Sequence, residues 1–436
     1  MALLALGPDT SQLLVGRVVF MLKALYEAEK VESGGFESTS WRGQLAGFRC
    51  AIEIIYGAEL TAKIMEAVVE ETRKSLRERA DDLMKRAFPR LEKEADNQGY
   101  IDVSLGQYER ALAEGHKALE KNPISARRYA FLVSCYVILN RLSEARVLVE
   151  EANRKNIDSP GLHISSYLLA FLSHDVAGME KQVAWGIGKP GVEDLVLSLE
   201  AATHSFFGRL SAARDFSRRA ISSAELLGEK TLAARYQVDV ALREALFGNA
   251  VEARQWVETA CRNSNDRNAK FKAALALAFA GHEMEIKSLI DDSDPSLLED
   301  TIIKFNYLPT LNAQLALNRN DAFKAIEILV AATPYELGNV GKTALYPVLV
   351  RGDAYLIAHR GKEATDEFQK ILEHPGIVLN GPIGIRGRLG LARAYALQGE
   401  TAKAKAAYSD FLTLWKDADP DIPILKQAKA EYAKLQ

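Results

Sequence analysis

The sequence predicts an all-α fold: a superhelical solenoid of about nine helix pairs, with a helical N-terminal segment and a C-terminal capping helix. Three observations predict it. Small residues recur seven apart at intervals of 33 to 40 residues, bulky aromatics precede them at helical spacing, and breakers such as Pro123, Gly161 and Pro334 fall between units. Self-similarity at this period marks stacked helical hairpins, which bury a continuous core only by packing on their neighbours.

Residues 1–97 do not follow the period. They predict three helices, near 11–31, 41–56 and 58–95, with a loop at Glu32-Ser-Gly-Gly-Phe-Glu-Ser-Thr-Ser40 and Ser40 as a cap. The apolar start predicts neither a signal peptide nor a membrane span. Gly7-Pro8-Asp9 interrupts it and Arg17 and Lys23 charge the run that follows, so an amphipathic helix is expected. In the third helix the basic cluster from Arg73 to Arg90 is interleaved with Glu78, Asp81 and Asp82, the pattern of a solvated face rather than a nucleic-acid contact. Pro89 should kink or end it.

From residue 98 to 419 each unit reads as a first helix, A, and a second helix, B. Ala111 and Ala118 form the first B-helix pair; Ala145 and Ala152 follow at 34 residues, behind Tyr129 and Tyr136 on helix A. Ala213 with Ala220 and Ala253 with Ala260 repeat the pair, each behind a turn glycine five residues upstream, Gly208 and Gly248. Ala313 aligns with Ala325 and Ala332; Gly352, Tyr355, Ala364 and Phe368 form a further unit, as do Ala392, Tyr395, Gly399, Ala404 and Tyr408. Weaker units centre on Glu180 and Ile286, placing the B anchors at 111, 145, 180, 213, 253, 286, 325, 364 and 404. A side chain larger than alanine where A crosses B would push the axes beyond ~8–10 Å, which is why the anchors are small. Residues 420–436 predict the cap, with Ile424, Ala428 and Tyr432 inward and Lys426, Lys429 and Lys434 outward.

These residues resemble the tetratricopeptide repeat (TPR) superfamily over about 98–415. Four segments, YLLAFLSHDVAGMEKQVAWGIGKPGVED, TPYELGNVGKTALYPVLVRGDAYL, EFQKILEHPGIVLNGPIG and the stretch from LARAYALQGE to the C-terminal Gln436, resemble the C-terminal solenoids of large bacterial signalling proteins. There the solenoid follows a serine/threonine kinase or winged-helix domain, so the resemblance implies a sensing or partner-docking module. The kinase motifs themselves are missing: no glycine-rich loop opens a strand, and no His-Arg-Asp or Asp-Phe-Gly is present. Nor is a winged-helix pattern seen before residue 98.

Motifs that carry chemistry elsewhere lack their context here. Gly186-Ile-Gly188-Lys-Pro-Gly191 fits a dinucleotide fingerprint but follows a helical stretch, where the motif needs a strand. Gly338-Asn-Val-Gly341-Lys342-Thr343 ends like a phosphate-binding loop, yet Glu336 stands where the first glycine belongs. The seven histidines show no metal-ligand spacing, and Cys50, Cys135 and Cys261 are odd in number and far apart, reading as reduced packed thiols of a cytoplasmic protein. With 55 basic and 58 acidic residues, no global field favours nucleic acid or membrane.

The sequence therefore predicts a non-catalytic scaffold, without cofactor or metal, that binds a protein or peptide on its concave face. Template counting puts Arg127, Ser134, Arg235, Asp239, Gln314, Tyr346, Asp353, Arg386 and Arg393 on that face, and their mixed charge predicts a partner of mixed polarity. The alternatives are a regulatory arm serving a kinase or transcription regulator in trans, or a small-ligand sensor.

Overall fold

The computed structural model describes residues 94–264, 266–291, 301–338 and 344–436. The expected helices of residues 1–93, their basic cluster and Cys50 lie outside the described residues. The helices form one compact unit, Lys93–Gln436. Among the described residues every regular element is helical, and the fold is the all-α superhelix of stacked helix pairs that the sequence predicts.

Nine A/B pairs follow in order. They are α1 (Glu94–Ser104) with α2 (Tyr108–Lys121), α3 (Ala126–Ile138) with α4 (Leu142–Arg154), and α5 (Pro160–Leu172) with α6 (Val176–Gly186). Next come α7 (Glu193–Phe206) with α8 (Leu210–Leu226), α9 (Lys230–Phe247) with α10 (Ala250–Asn263), and α11 (Arg267–Phe279) with α12 (Glu283–Asp291). The last are α13 (Leu308–Asn318) with α14 (Ala322–Leu329), α15 (Tyr346–Ile357) with α16 (Gly361–Leu372), and α18 (Pro382–Leu397) with α19 (Thr401–Leu414). A single helical turn, α17 (Pro375–Val378), precedes the ninth pair, and α20 (Pro423–Ala433) ends the chain.

One local device makes all nine hairpins. Between A and B stands a residue with φ between +56° and +92°: Gly106, Asn140, His174, Gly208, Gly248, Gly281, Asn320, His359 and Gly399. Each donates its N–H to the carbonyl three residues back, and the next residue donates to the carbonyl five back. This is a Schellman C-terminus, satisfying carbonyls that the end of helix A would otherwise leave open. Glycine takes the left-handed conformation freely, and asparagine and histidine tolerate it better than most side chains.

The anchor lies five residues after each of these turns, which corrects one expected position. After His174 it falls on Met179, half-buried against the core, whereas Glu180 is exposed. Gly186, seven residues on, is the small partner, and a Cβ there would drive into Val196 of α7. With Met179 in place, Ala111, Ala145, Met179 and Ala213 succeed one another at 34 residues. The alanine anchors are fully buried, and Ile286 is buried as well.

The superhelix then closes on its own edge. The Tyr108 hydroxyl donates to the Leu337 carbonyl, joining the first pair to the exit of the seventh. Trp415 Nε1 donates to the Phe206 carbonyl at 2.9 Å, and its ring meets Phe247 at 5.3 Å, joining the ninth pair to the fourth and fifth. Asp419 completes that joint. Its N–H donates to Gly208 O at 3.0 Å, and its carboxylate accepts the Ser211 N–H at 2.6 Å, capping α8 from 208 residues away. Pro423 of α20 covers Gly248. As expected, α20 buries Ile424 and Ala428, half-buries Tyr432 and turns Lys426, Lys429 and Lys434 to solvent.

Two of the turn glycines separate the turn from the closure. Gly399 (φ +72°) has open space beyond its Cα, while a Cβ on Gly208 (φ +73°) would strike Ala418 and Trp415. Gly399→Ala should cost about 1–2 kcal/mol of left-handed strain. Gly208→Ala should cost about 1–3 kcal/mol more, from overpacking of the closure. Urea denaturation of the two variants measures the difference, and equal losses would mean that the seam contributes nothing.

Candidate partner-binding face

The nine residues expected on the concave face all lie within A helices. Most are spent on the neighbouring A helix. Ser134 Oγ meets Ser165 Oγ at 2.7 Å, Arg235 grips Asp266 with Nε and Nη2 at 3.2 and 2.9 Å, and Lys272 pairs with Asp239. Arg386 Nη2 donates to Asp353 at 2.9 Å while its Nη1 reaches the Leu246 carbonyl at 3.2 Å, placing a cation at the C-terminus of α9. Arg393 grips Glu431 of α20 at 2.9 and 3.0 Å. These are rungs of a ladder between successive A helices and the cap.

Three of the nine behave differently. Gln314 donates to Asn318 of its own helix at 2.9 Å. Tyr346 is buried in the core beside Phe279, so counting from the template puts it on the face but the closure covers it. Arg127 also reaches its neighbouring A helix but stays exposed: its Nε donates to the Tyr100 hydroxyl at 3.3 Å and its guanidinium lies 5.1 Å from the centre of that ring.

Closure divides the concave face in two. In the later pairs Val238, Leu242, Leu275, Leu349 and Leu389 of the A helices belong to one buried core with Trp415 and Phe247, and α18 packs against both α7 and α9. That half is no open groove. In the first four pairs the A helices keep an accessible strip: Tyr100 is 38% exposed, and Ala130, Ser134, Ile164, Leu168, Leu195 and Ser198 are half-buried. Tyr100 and Phe131 meet edge to face at 4.9 Å, with Gly99 and Gly115 making room for the phenylalanine. Sequence counting missed Tyr100, Ile164 and Leu195. The signal was present for Tyr100 and Leu195, which share the helix A registers of Ser134 and Arg127 relative to their anchors, whereas Ile164 stands at a register that none of the expected residues occupies.

The chemistry-like motifs take structural roles. Gly186–Gly191 joins helix α6 to helix α7, with Gly188 and Gly191 at positive φ and the Lys189 ammonium 3.6 Å from the Trp185 ring centre. Asn339–Thr343 lie outside the described residues. Glu336 before them is 1% exposed and receives both Arg351, at 2.9 Å, and Lys370, while Arg351 also holds Glu367 at 2.6 Å. Two cations and two carboxylates thus neutralise one another in the interior. His163 stacks on Trp185 at 3.5 Å with its ring nitrogens against Asp158 and Gln182. Burial pushes the Cys135 thiol up to about 12. Among the described residues no three histidines, cysteines or acids gather where a metal ion would fit, and no helix is long and apolar enough to cross a membrane.

No protein-family model matches the chain, and no curated protein sequence does. Among solved structures, it is similar to the TPR domain of P58(IPK), at 14% identity and a TM-score of 0.26, over 78% of this chain and 97% of that one. It is also similar to yeast Tom70, at 12% identity and a TM-score of 0.30, over 92% and 96%. The superpositions are weak, and the fold assignment stands on the helix-pair geometry.

The two classes of arginine on this face should part company on mutation. Arg386→Met strands Asp353 and an end-of-helix carbonyl in a half-buried setting, and should cost about 1–3 kcal/mol. Arg127→Met, at an exposed site, should stay within about 0.5 kcal/mol of wild type. Thermal melts followed by far-UV circular dichroism compare them; equal stability would remove Arg386 from the closure.

Proposed function

We propose that this protein is a non-catalytic interaction scaffold that holds a segment of a partner protein against the A helices of its first four pairs. One observation carries the reading: an accessible strip of aromatic, aliphatic and small side chains on α1, α3, α5 and α7, in a molecule whose other concave positions are consumed by its own packing. Stacked repeats present such strips as extended binding surfaces, and exposed apolar residues grouped on one face mark interaction sites. The resemblance of the C-terminal stretch to bacterial signalling solenoids supports a place in such a pathway.

The binding residues of this reading are Tyr100, Arg127 and the apolar Ile164, Leu168 and Leu195, in preference to Ser134, Asp353, Arg386 and Arg393, which are engaged by neighbouring helices. Charge reversal at the last two would disturb folding before it tested binding. A Tyr100→Ala/Arg127→Glu variant of the full chain, used as bait beside wild type in a bacterial lysate, should lose the co-purifying proteins while melting normally. An unchanged set would count against this face, and phosphoryl transfer by the purified chain would end the non-catalytic reading.

A further inference from the structure

Two A helices, α3 and α7, meet one stretch of the same chain at their C-terminal ends, and α5 between them shares a packed core with that stretch, while the N-terminal halves of all three keep half-buried side chains. On α3, Gly376 lies so close to the carbonyls of Val137 and Ile138 that a Cβ would collide with them. On α5, Leu172 packs on the core of the first three pairs, and so does Leu379. On α7, Asn380 Nδ2 donates to the Leu199 carbonyl at 3.2 Å and to Thr203 Oγ1 at 3.0 Å. The covering stretch runs from Pro375 to Asn380 and brings Ile377 and Val378 into the interior.

The open halves continue the same surface. On α5, Gly161 and Ser165 face α3 and Tyr167 faces α7, as their contacts with Ala130, Ser134 and Glu200 show. Ile164 and Leu168 fall between these two directions on the helical wheel. With Leu172 they form an i, i+4, i+8 stripe that passes from the open region into the covered one without a break. Leu195 and Ser198 on α7 and Ala130 and Ser134 on α3 flank it. None of these side chains carries a charge, and Arg127 at the start of α3 is engaged with Tyr100 of α1. The ion pairs Arg235–Asp266 and Asp239–Lys272 on the later helices are already made.

We infer that the open half of this trough takes an uncharged, apolar segment of a partner protein, laid end to end with the chain's own Pro375–Asn380 stretch. The inference rests on the concave face being the binding surface. It replaces the mixed-polarity partner expected from the sequence, because the charges behind that expectation are engaged within the molecule, Arg235, Asp239, Asp353, Arg386 and Arg393 in ion pairs and Arg127 on Tyr100. A carboxylate or phosphate entering the strip would shed water without gaining a counter-ion along Ile164, Leu168 and Leu195, whereas an aliphatic or aromatic side chain would gain burial there. The chain's own stretch shows the fit, combining apolar side chains with one amide that donates to a helix carbonyl.

The test uses the full chain and immobilised 12-residue peptides of three compositions: uncharged and rich in aliphatic and aromatic residues, rich in Asp and Glu, and rich in Lys and Arg. Wild type should retain the apolar class. Ile164→Asp/Leu195→Asp should lose that retention by about tenfold or more, the ~1.4 kcal/mol or greater expected when a carboxylate replaces an apolar contact. Phe323→Asp, at a 71% exposed outer position, should retain it. Ser198→Glu gives a milder insertion of charge should the double variant melt early. Charged peptides retained by wild type and lost in the trough variants would overturn the apolar chemistry and leave the concave-face reading standing. Equal retention of every class by all variants, or retention of none, would overturn both.

Discussion

The left-handed turn that ends each A helix is the constraint on which the rest of the structure depends. It fixes the angle at which helix B returns, and with it the register of the anchor five residues later. Because two helices cross at that anchor, the residue must be small or, as with Met179 and Ile286, flexible or shaped to fill an irregular gap. A left-handed residue and a small residue at fixed separation thus specify a hairpin, and nine hairpins specify a superhelix. The amphipathic B helices add the apolar face but do not choose the angle.

Closure adds a second demand on the same turns. In an open solenoid each repeat answers only to its neighbours. Here Gly106, Gly208 and Gly248 must take positive φ and also let Gly338, Trp415 and Pro423 approach, so no side chain fits on either ground. The consequence is a core running through the interior of the later pairs, where the A helices of a solenoid would otherwise line a groove. Their charged residues, denied a partner from outside, pair across adjacent helices, and the ladder from Arg235 to Arg393 stiffens the superhelix.

How much was legible in the sequence follows from the range of each interaction. Local ones were readable: eight of the nine anchors, the cap and its inward face depend on residues within one repeat. The ninth was displaced because Met179 does not look like an alanine and His174 does not look like a glycine, although His174 occupies the same left-handed position as Gly208. Closure was not readable, since it joins Gly208 to Asp419 and Gly248 to Pro423 across well over a hundred residues and uses no motif. Tyr346 and Arg386 stand where the template puts groove residues, and only the long-range packing decides that one is core and the other a brace.

The same division explains why the strip along α5 and α7 is apolar. Once the later half of the concave face is sealed, polar side chains there meet other polar side chains, and their hydrogen bonds are satisfied within the molecule. Among the described residues, the stretch that crosses the earlier half is Pro375–Asn380. A helix face that stays in water is ordinarily polar, since exposed aliphatic side chains add nothing to stability and invite association. Ile164, Leu168 and Leu195 sit beyond the end of the covering stretch, on the strip that it fills further along. Leu168 packs in part on the core of the first three pairs, and among the described residues the three keep part of their apolar surface uncovered, which a partner segment laid beside them would bury.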